Sequence, residues 1–130
     1  MKASKSKPKP KKDYDKIYRL FEISIVGSGL PAATREFHFN PEKRWKRCRR
    51  IDFCWPAYKL ALEIEGGAWT KKGHTNGVNF IADMEKYNEL AFSGFFLLRV
   101  TPEQVEKGEA LELLERWFKS DGRWTKEAVN

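Results

Sequence analysis

The run Arg50-Ile51-Asp52-Phe53-Cys54-Trp55-Pro56-Ala57-Tyr58-Lys59-Leu60-Ala61-Leu62-Glu63-Ile64-Glu65-Gly66-Gly67 is the stretch that most restricts what this chain can fold into. It sets one acid, Asp52, in an apolar segment and two more, Glu63 and Glu65, at alternate positions of a second. Only Pro56-Ala57-Tyr58 separates the two segments, which favours a tight antiparallel hairpin. Alternate strand residues share a face, so Asp52, Glu63 and Glu65 are expected together at one end of a sheet. Such crowding of like charge is costly unless a cation neutralises it. Gly66-Gly67 ends the second strand and permits close approach of a bulky neighbour.

The rest of the chain supplies the partners of this hairpin. Asp13 or Asp15 is positioned to cap a helix running to about Val26, with Ile17, Leu20, Phe21, Ser24 and Ile25 along one largely apolar face. Gly27-Ser28-Gly29-Leu30-Pro31 stops it. Thr34 to Phe39 alternates as a first strand, Ile51 to Trp55 is a second and Lys59 to Glu65 a third. Ala68 to Asn79 is a polar, glycine-containing loop of the length that often serves function. Phe80 to Phe92 predicts a second helix, with Ile81, Met84, Tyr87, Leu90 and Ala91 as its apolar stripe and Asp83, Lys86 and Glu89 opposite. Phe95 to Val100 is a near-continuous apolar strand of the buried kind. A last helical region spans about Pro102 to Ser120, with Val105, Leu111, Leu114, Trp117 and Phe118 as its apolar positions. The order is helix, three-strand meander, helix, strand, helix: an α/β layer arrangement in which the second helix makes the last strand parallel to its neighbour.

At 130 residues there is room for one domain, expected over residues 13–120, with a C-terminal extension at 121–130. No apolar run reaches the roughly 18–20 residues of a membrane span, and no secretory signal follows the basic start, so a cytoplasmic protein is expected. Cys48 and Cys54 are too few for a disulfide scaffold and wrongly spaced for structural zinc, and read as reduced thiols.

Charge is concentrated. The net charge is +7, yet removing the six lysines of residues 1–12 from the 25 basic residues leaves 19 against 18 acids. Residues 1–12 read as a disordered Lys/Pro/Ser tail suited to salt-dependent phosphate attraction. A second basic cluster, Lys43, Arg44, Lys46, Arg47, Arg49 and Arg50, precedes Asp52 in a loop or hairpin tip. Two basic patches on a near-neutral body fit a polyanion partner. Lys71 and Lys72 add charge in the polar loop. Trp45 and Trp69 are placed to stack on a base, although such a tryptophan also serves to cover a core edge.

Cleaving a phosphodiester requires an activated water, charge stabilisation at phosphorus and help for the leaving oxygen. Carboxylate-held Mg²⁺ or Mn²⁺ supplies the first two. Asp52 and Glu63 are the candidate ligands, with the Ile64 carbonyl as a third. A lysine two residues after Glu63 would suit the attacking water or the phosphate, and Glu65 stands there instead. Either Glu65 is itself a ligand or base, or a cation from elsewhere serves. Lys86 is the best placed, followed by His74 and Arg99. In the competing structural reading, Asp52 and Glu63 are strand-end acids bridged to Arg49 or Arg50.

Asp52 followed after ten residues by Glu63-Ile64-Glu65 resembles the PD-(D/E)xK nuclease signature. The segments Arg50-Ile51-Asp52-Phe53, Leu60 to Gly67, Asp83-Met84-Glu85-Lys86-Tyr87-Asn88 and Leu98-Arg99-Val100-Thr101 are similar, in that order, to small stand-alone phage and bacterial endonucleases of the very-short-patch-repair-like branch. The resemblance spans about Arg35 to Gly108. It implies a restriction-endonuclease-like αβββαβ core with a mixed central sheet flanked by helices. It also implies a Mg²⁺-dependent DNA endonuclease with Asp52 and Glu63 as metal ligands. The departure is Glu65 at the usual lysine position. Members of the superfamily often add an acid from ahead of the core strands, for which Glu36, then Glu22, is the match.

Branched or nicked DNA is the expected substrate, as for Holliday-junction resolvases of this size, because one short domain without a helix-turn-helix offers little sequence readout. Two symmetric cuts in a four-way junction would call for a homodimer. The alternative function is a non-catalytic nucleic-acid-binding module on the same fold.

Overall fold

The computed structural model describes residues 13–39, 49–66 and 77–120. The basic tail 1–12, the extension 121–130, Lys43, Arg44, Trp45, Lys46, Arg47, Cys48, Trp69, Lys71, Lys72 and His74 lie outside the described residues, and Arg49 is described only as part of a strand.

Helix α1 (Tyr14–Gly27) begins at Asp13, whose carboxylate accepts the Lys16 N–H at 3.0 Å and so satisfies one of the free donors of the first turn. Its buried line is Ile17, Phe21 and Ile25, at four-residue spacing. Leu20 and Ser24, expected on that face, are exposed, since the buried line is confined to the i, i+4 row of Ile17, Phe21 and Ile25.

Strands β1 (Thr34–Phe39), β2 (Arg49–Trp55) and β3 (Leu60–Ile64) form the expected meander, joined between β2 and β3 by a single 3-10 turn at Pro56–Tyr58. Lys59 follows that turn in a left-handed conformation (φ 53°) and donates its N–H to the Pro56 carbonyl at 3.2 Å. Helix α2 (Gly77–Phe92) crosses over to β4 (Phe96–Val100), which pairs parallel with β3. Among the described residues the sheet is mixed and four-stranded, in the order β1-β2-β3-β4. The chain is therefore an α/β protein.

The last helical region divides into α3 (Pro102–Glu106) and α4 (Glu109–Lys119). Gly108 between them has φ 82°, a left-handed conformation that ends one helix and starts the next. Thr101 opens α3 with a capping box: its hydroxyl accepts the Gln104 N–H at 3.2 Å and the Gln104 side chain accepts the Thr101 N–H at 2.9 Å.

Each face of the sheet is covered. On one, Phe53, Trp55, Leu60, Leu62, Ile64, Leu98 and Val100 pack with Phe21 and Ile25 of α1 and Leu114, Trp117 and Phe118 of α4. On the other, Phe39, Ile51, Cys54 and Ala61 pack with Leu90 of α2. Cys54 is a free, buried thiol whose pKa burial pushes up to about 12, which makes it an inert core residue. Among the described residues no helix is long and apolar enough to cross a membrane.

The stripe expected on α2 is not the one that is buried. Leu90 is buried, but Ile81 is 58% exposed and Met84 50% exposed. Tyr87, of the expected stripe, does face the sheet, and Lys86, expected on the opposite face, turns inward beside it, each toward an acid of the sheet. Lys86 on this helix supplies the charge that buried Glu63 needs.

Candidate active site

A break in the alternation of β2 creates the site. Ile51 belongs to the core on the α2 side, whereas Phe53, two residues on, belongs to the core on the α1 side. In a regular strand both would share a face. Opposite the break, Glu36 of β1 has φ 49°, a left-handed conformation that costs a non-glycine residue on the order of 1–2 kcal/mol. The β1–β2 ladder pairs Arg35 with Phe53 and Phe37 with Ile51 but skips Glu36 and Asp52.

The β2–β3 ladder likewise stops at Phe53 and Leu62. Asp52 then does with its side chain what the backbone no longer does, accepting the Ile64 N–H at 2.8 Å. Its carboxylate is thereby held over the end of β3, beside Glu63.

Glu63 is 8% exposed, the only buried charged residue among those described. It points to the α2 side, as Ala61 does, and its Oε1 receives Lys86 Nζ of α2 at 2.9 Å. Both side chains of this ion pair are nearly buried. Glu65 lies one step past the strand, where its N–H donates to the Val100 carbonyl at 2.7 Å. Its Oε1 accepts Tyr87 OH at 3.0 Å and Arg99 Nε at 2.8 Å. Arg99 is the register partner of Glu63 across the parallel pair.

Burial is the main influence on protonation. It raises Asp52 above the ordinary aspartate range, opposed by the Ile64 N–H, by a hydrogen bond with Glu63 and by the Lys86 charge. Glu63 is pushed up to about 7, first by burial and then by the Asp52 charge, with Lys86 acting in the other direction. The two carboxyls therefore compete for charge and titrate as a pair. This is the electrostatic condition in which a divalent cation binds favourably, and the hard oxygen donors match Mg²⁺ or Mn²⁺.

The acids expected as a trio form a pair and a separately bonded third. Among the described residues no group of three or more His, Cys, Asp and Glu side chains is arranged to hold a metal ion. Asp52 and Glu63 converge, while Glu65 is engaged by Arg99 and Tyr87. The described bond of Ile64 in the site is its N–H to Asp52. Glu36 is exposed and its carboxylate lies 3.8 Å from Arg50. Glu22 pairs with Arg35, also at 3.8 Å. Arg50, weighed as a bridge to Asp52 or Glu63, is thus paired with Glu36, and Lys86 is the cation on Glu63.

Three residues join the site that the sequence did not single out for it. Tyr87 was expected as apolar stripe and instead bonds Glu65. Tyr18 of α1 stacks edge-on against Phe53, with ring centroids 6.0 Å apart. Its hydroxyl is pushed up to about 12 by burial and then by the charges of Asp52 and Glu63, opposed by Arg35. The Arg35 guanidinium covers the rings of Tyr18 and Phe53 at 5.1 and 4.7 Å. The sequence signal for Tyr87 was its place beside Lys86, one helix step from a residue already considered. For Tyr18 and Arg35 no spacing rule applied, since tertiary packing alone sets α1 against Phe53. The close approach expected at the glycines is made at Gly66, whose carbonyl accepts Tyr14 OH at 3.3 Å, and an added Cβ there would meet the Tyr14 ring at 3.0 Å.

Comparison with protein-family profiles, with curated proteins and with solved structures finds no match for this chain.

Proposed function

We propose that this chain is a metal-dependent DNA endonuclease built on a restriction-endonuclease-like αβββαβ core, as its resemblance to PD-(D/E)xK nucleases implies. The observation that carries the reading is the convergence of Asp52 and Glu63 where β2 and β3 part, with Lys86 on Glu63. A sheet end that buries Glu63, half-buries Asp52 and raises the proton affinity of both is a poor structural device, and a good seat for a divalent cation. The mixed sheet and the order of its elements are compatible with that core.

Asp52 and Glu63 would hold Mg²⁺ or Mn²⁺. When bound, the ion supplies positive charge at phosphorus and acidifies a water. The protein's own groups do the rest. The Ile64 N–H orients Asp52. Lys86 keeps Glu63 in place and would supply the ammonium for the scissile phosphate, the role left open by Glu65. Glu63 must release the proton it holds up to about 7, so occupancy of the site releases protons and improves with rising pH. DNA is the proposed partner, with branched or nicked forms preferred and a second copy required for paired cuts at a junction.

A non-catalytic nucleic-acid-binding module is the second reading. The observation on its side is that only two carboxylates converge, Glu65 being bonded to Arg99 and Tyr87. Incubating the protein with linear, nicked and four-way-junction DNA in Mg²⁺, Mn²⁺ or EDTA separates the two. The nuclease reading expects cleavage in either metal, none in EDTA, and faster cutting of nicked or branched substrates. Intact DNA under every condition, with binding retained, would establish the second reading instead.

A further inference from the structure

We propose that Arg99, held by Glu65 and Tyr87, is a binding point for a backbone phosphate of DNA next to the acid pair, and that Glu65 is a positioning residue. The proposal deepens the nuclease reading and rests on it for the identity of the polyanion.

The geometry of the guanidinium carries the inference. Arg99 is bonded through Nε, at 2.8 Å from Glu65 Oε1, and its guanidinium carbon lies 4.8 Å from the centre of the Tyr87 ring. Tyr87 is itself fixed, because its hydroxyl donates to the same Glu65 oxygen at 3.0 Å. The group is thus oriented by its inner nitrogen and by ring contact, and among the described residues its two terminal nitrogens make no hydrogen bond. Those nitrogens form the fork that matches two oxygens of a phosphate. The side chain is 52% exposed, so the fork is reachable from solvent.

A purely structural bridge is the plain alternative, and exposed pairs contribute little to stability. Such a bridge gains most when the carboxylate takes the fork itself, in bidentate fashion. Here one carboxylate oxygen takes Nε and the tyrosine hydroxyl, which spends the acid on orientation.

Placement gives the phosphate its location. Arg99 is the register partner of Glu63 on the neighbouring parallel strand, and strands lie about 4.8 Å apart. Both side chains project toward α2, where one meets Lys86 and the other Tyr87. A phosphate on the Arg99 fork therefore flanks whatever the acid pair acts on. The same arrangement explains the departure from the lysine motif: Lys86 brings a cation from the helix, which frees the position two after Glu63 for an acid that orients Arg99.

The test is a titration of nicked duplex DNA followed by fluorescence anisotropy, in EDTA, over a range of salt concentrations. Neutralising one phosphate contributes about 0.9 to the slope of log affinity against log salt. Arg99→Ala should lower the slope by about that amount, and Arg99→Lys should retain it while binding more weakly at every salt concentration. Glu65→Gln and Tyr87→Phe should each weaken binding in the wild-type background and have no further effect in Arg99→Ala, because they act through Arg99. An unchanged slope in Arg99→Ala, with unfolding temperature preserved, would overturn the proposal, as would additive losses in the double variants. Cleavage by wild type with no change of slope would sink this inference and leave the nuclease standing. A reduced slope in a protein that never cleaves would do the reverse.

Discussion

Replacing Asp52 by asparagine is expected to reduce DNA cleavage by about three orders of magnitude while the fold and DNA affinity persist. Asparagine keeps an oxygen to accept the Ile64 N–H, now 2.8 Å from the aspartate, so the junction of β2 and β3 is preserved. It removes a carboxylate that burial already penalises, so stability is expected to be equal or greater. What it deletes is half of the anionic pair. Loss of several kcal/mol of charge stabilisation in the transition state, at about 1.4 kcal/mol per factor of ten, gives the stated magnitude. Single-turnover cleavage at saturating enzyme, beside anisotropy and thermal unfolding, checks all three parts. Wild-type cleavage by Asp52→Asn would remove Asp52 from the mechanism.

A second large effect lies in the dependence of stability on pH. Glu63 retains its proton up to about 7 in the folded chain, whereas an unfolded glutamate releases it near ~4.3. Between those values the native state binds more protons than the unfolded state, so stability falls as pH rises. The contribution is complete below the unfolded value and is lost once pH has passed through about 7. At ~1.4 kcal/mol per pH unit the whole change is at most about 4 kcal/mol, and it belongs jointly to Glu63 and Asp52. Glu63→Gln cannot titrate. Subtracting its metal-free unfolding free energies from those of wild type should therefore give a difference that declines over this window. A difference that stays flat from pH 4 to 8 would show that the acid pair is not coupled to folding. Mg²⁺ should restore stability to wild type at pH 8, with far less effect at pH 5 and on Glu63→Gln, because a ligand of the native state raises stability in proportion to its occupancy.

Much of this was legible in the residues. Alternation placed the strands to within a residue or two, and Pro56-Ala57-Tyr58 marked the hairpin. The acids of the ExE motif were recognisable, but their fates were not. Which of Glu63 and Glu65 meets Lys86 and which meets Arg99 depends on the pairing of β3 with β4 and on the rotation of α2, both tertiary quantities. Leu90 and Tyr87 of the expected stripe face the sheet, whereas Ile81 and Met84 are exposed and Lys86, expected opposite, is turned in. A helix that lies over buried charge turns its polar residues inward. The break of β2 at Asp52 was hidden for a related reason: Glu36, whose left-handed backbone stands opposite it, has no glycine or proline to announce it. Gly108, in a left-handed conformation, divides α3 from α4 where the apolar spacing favours one helical region from about Pro102 to Ser120.

The central claim is that Asp52 and Glu63 form a divalent-cation site. Calorimetric titration of Mn²⁺ into the metal-free protein at pH 8 tests it without any choice of DNA substrate. Saturable binding with release of protons, lost in both Asp52→Asn and Glu63→Gln and retained in Glu65→Gln, is the expected result. Absence of binding to wild type, or binding undiminished by the first two substitutions, would contradict it.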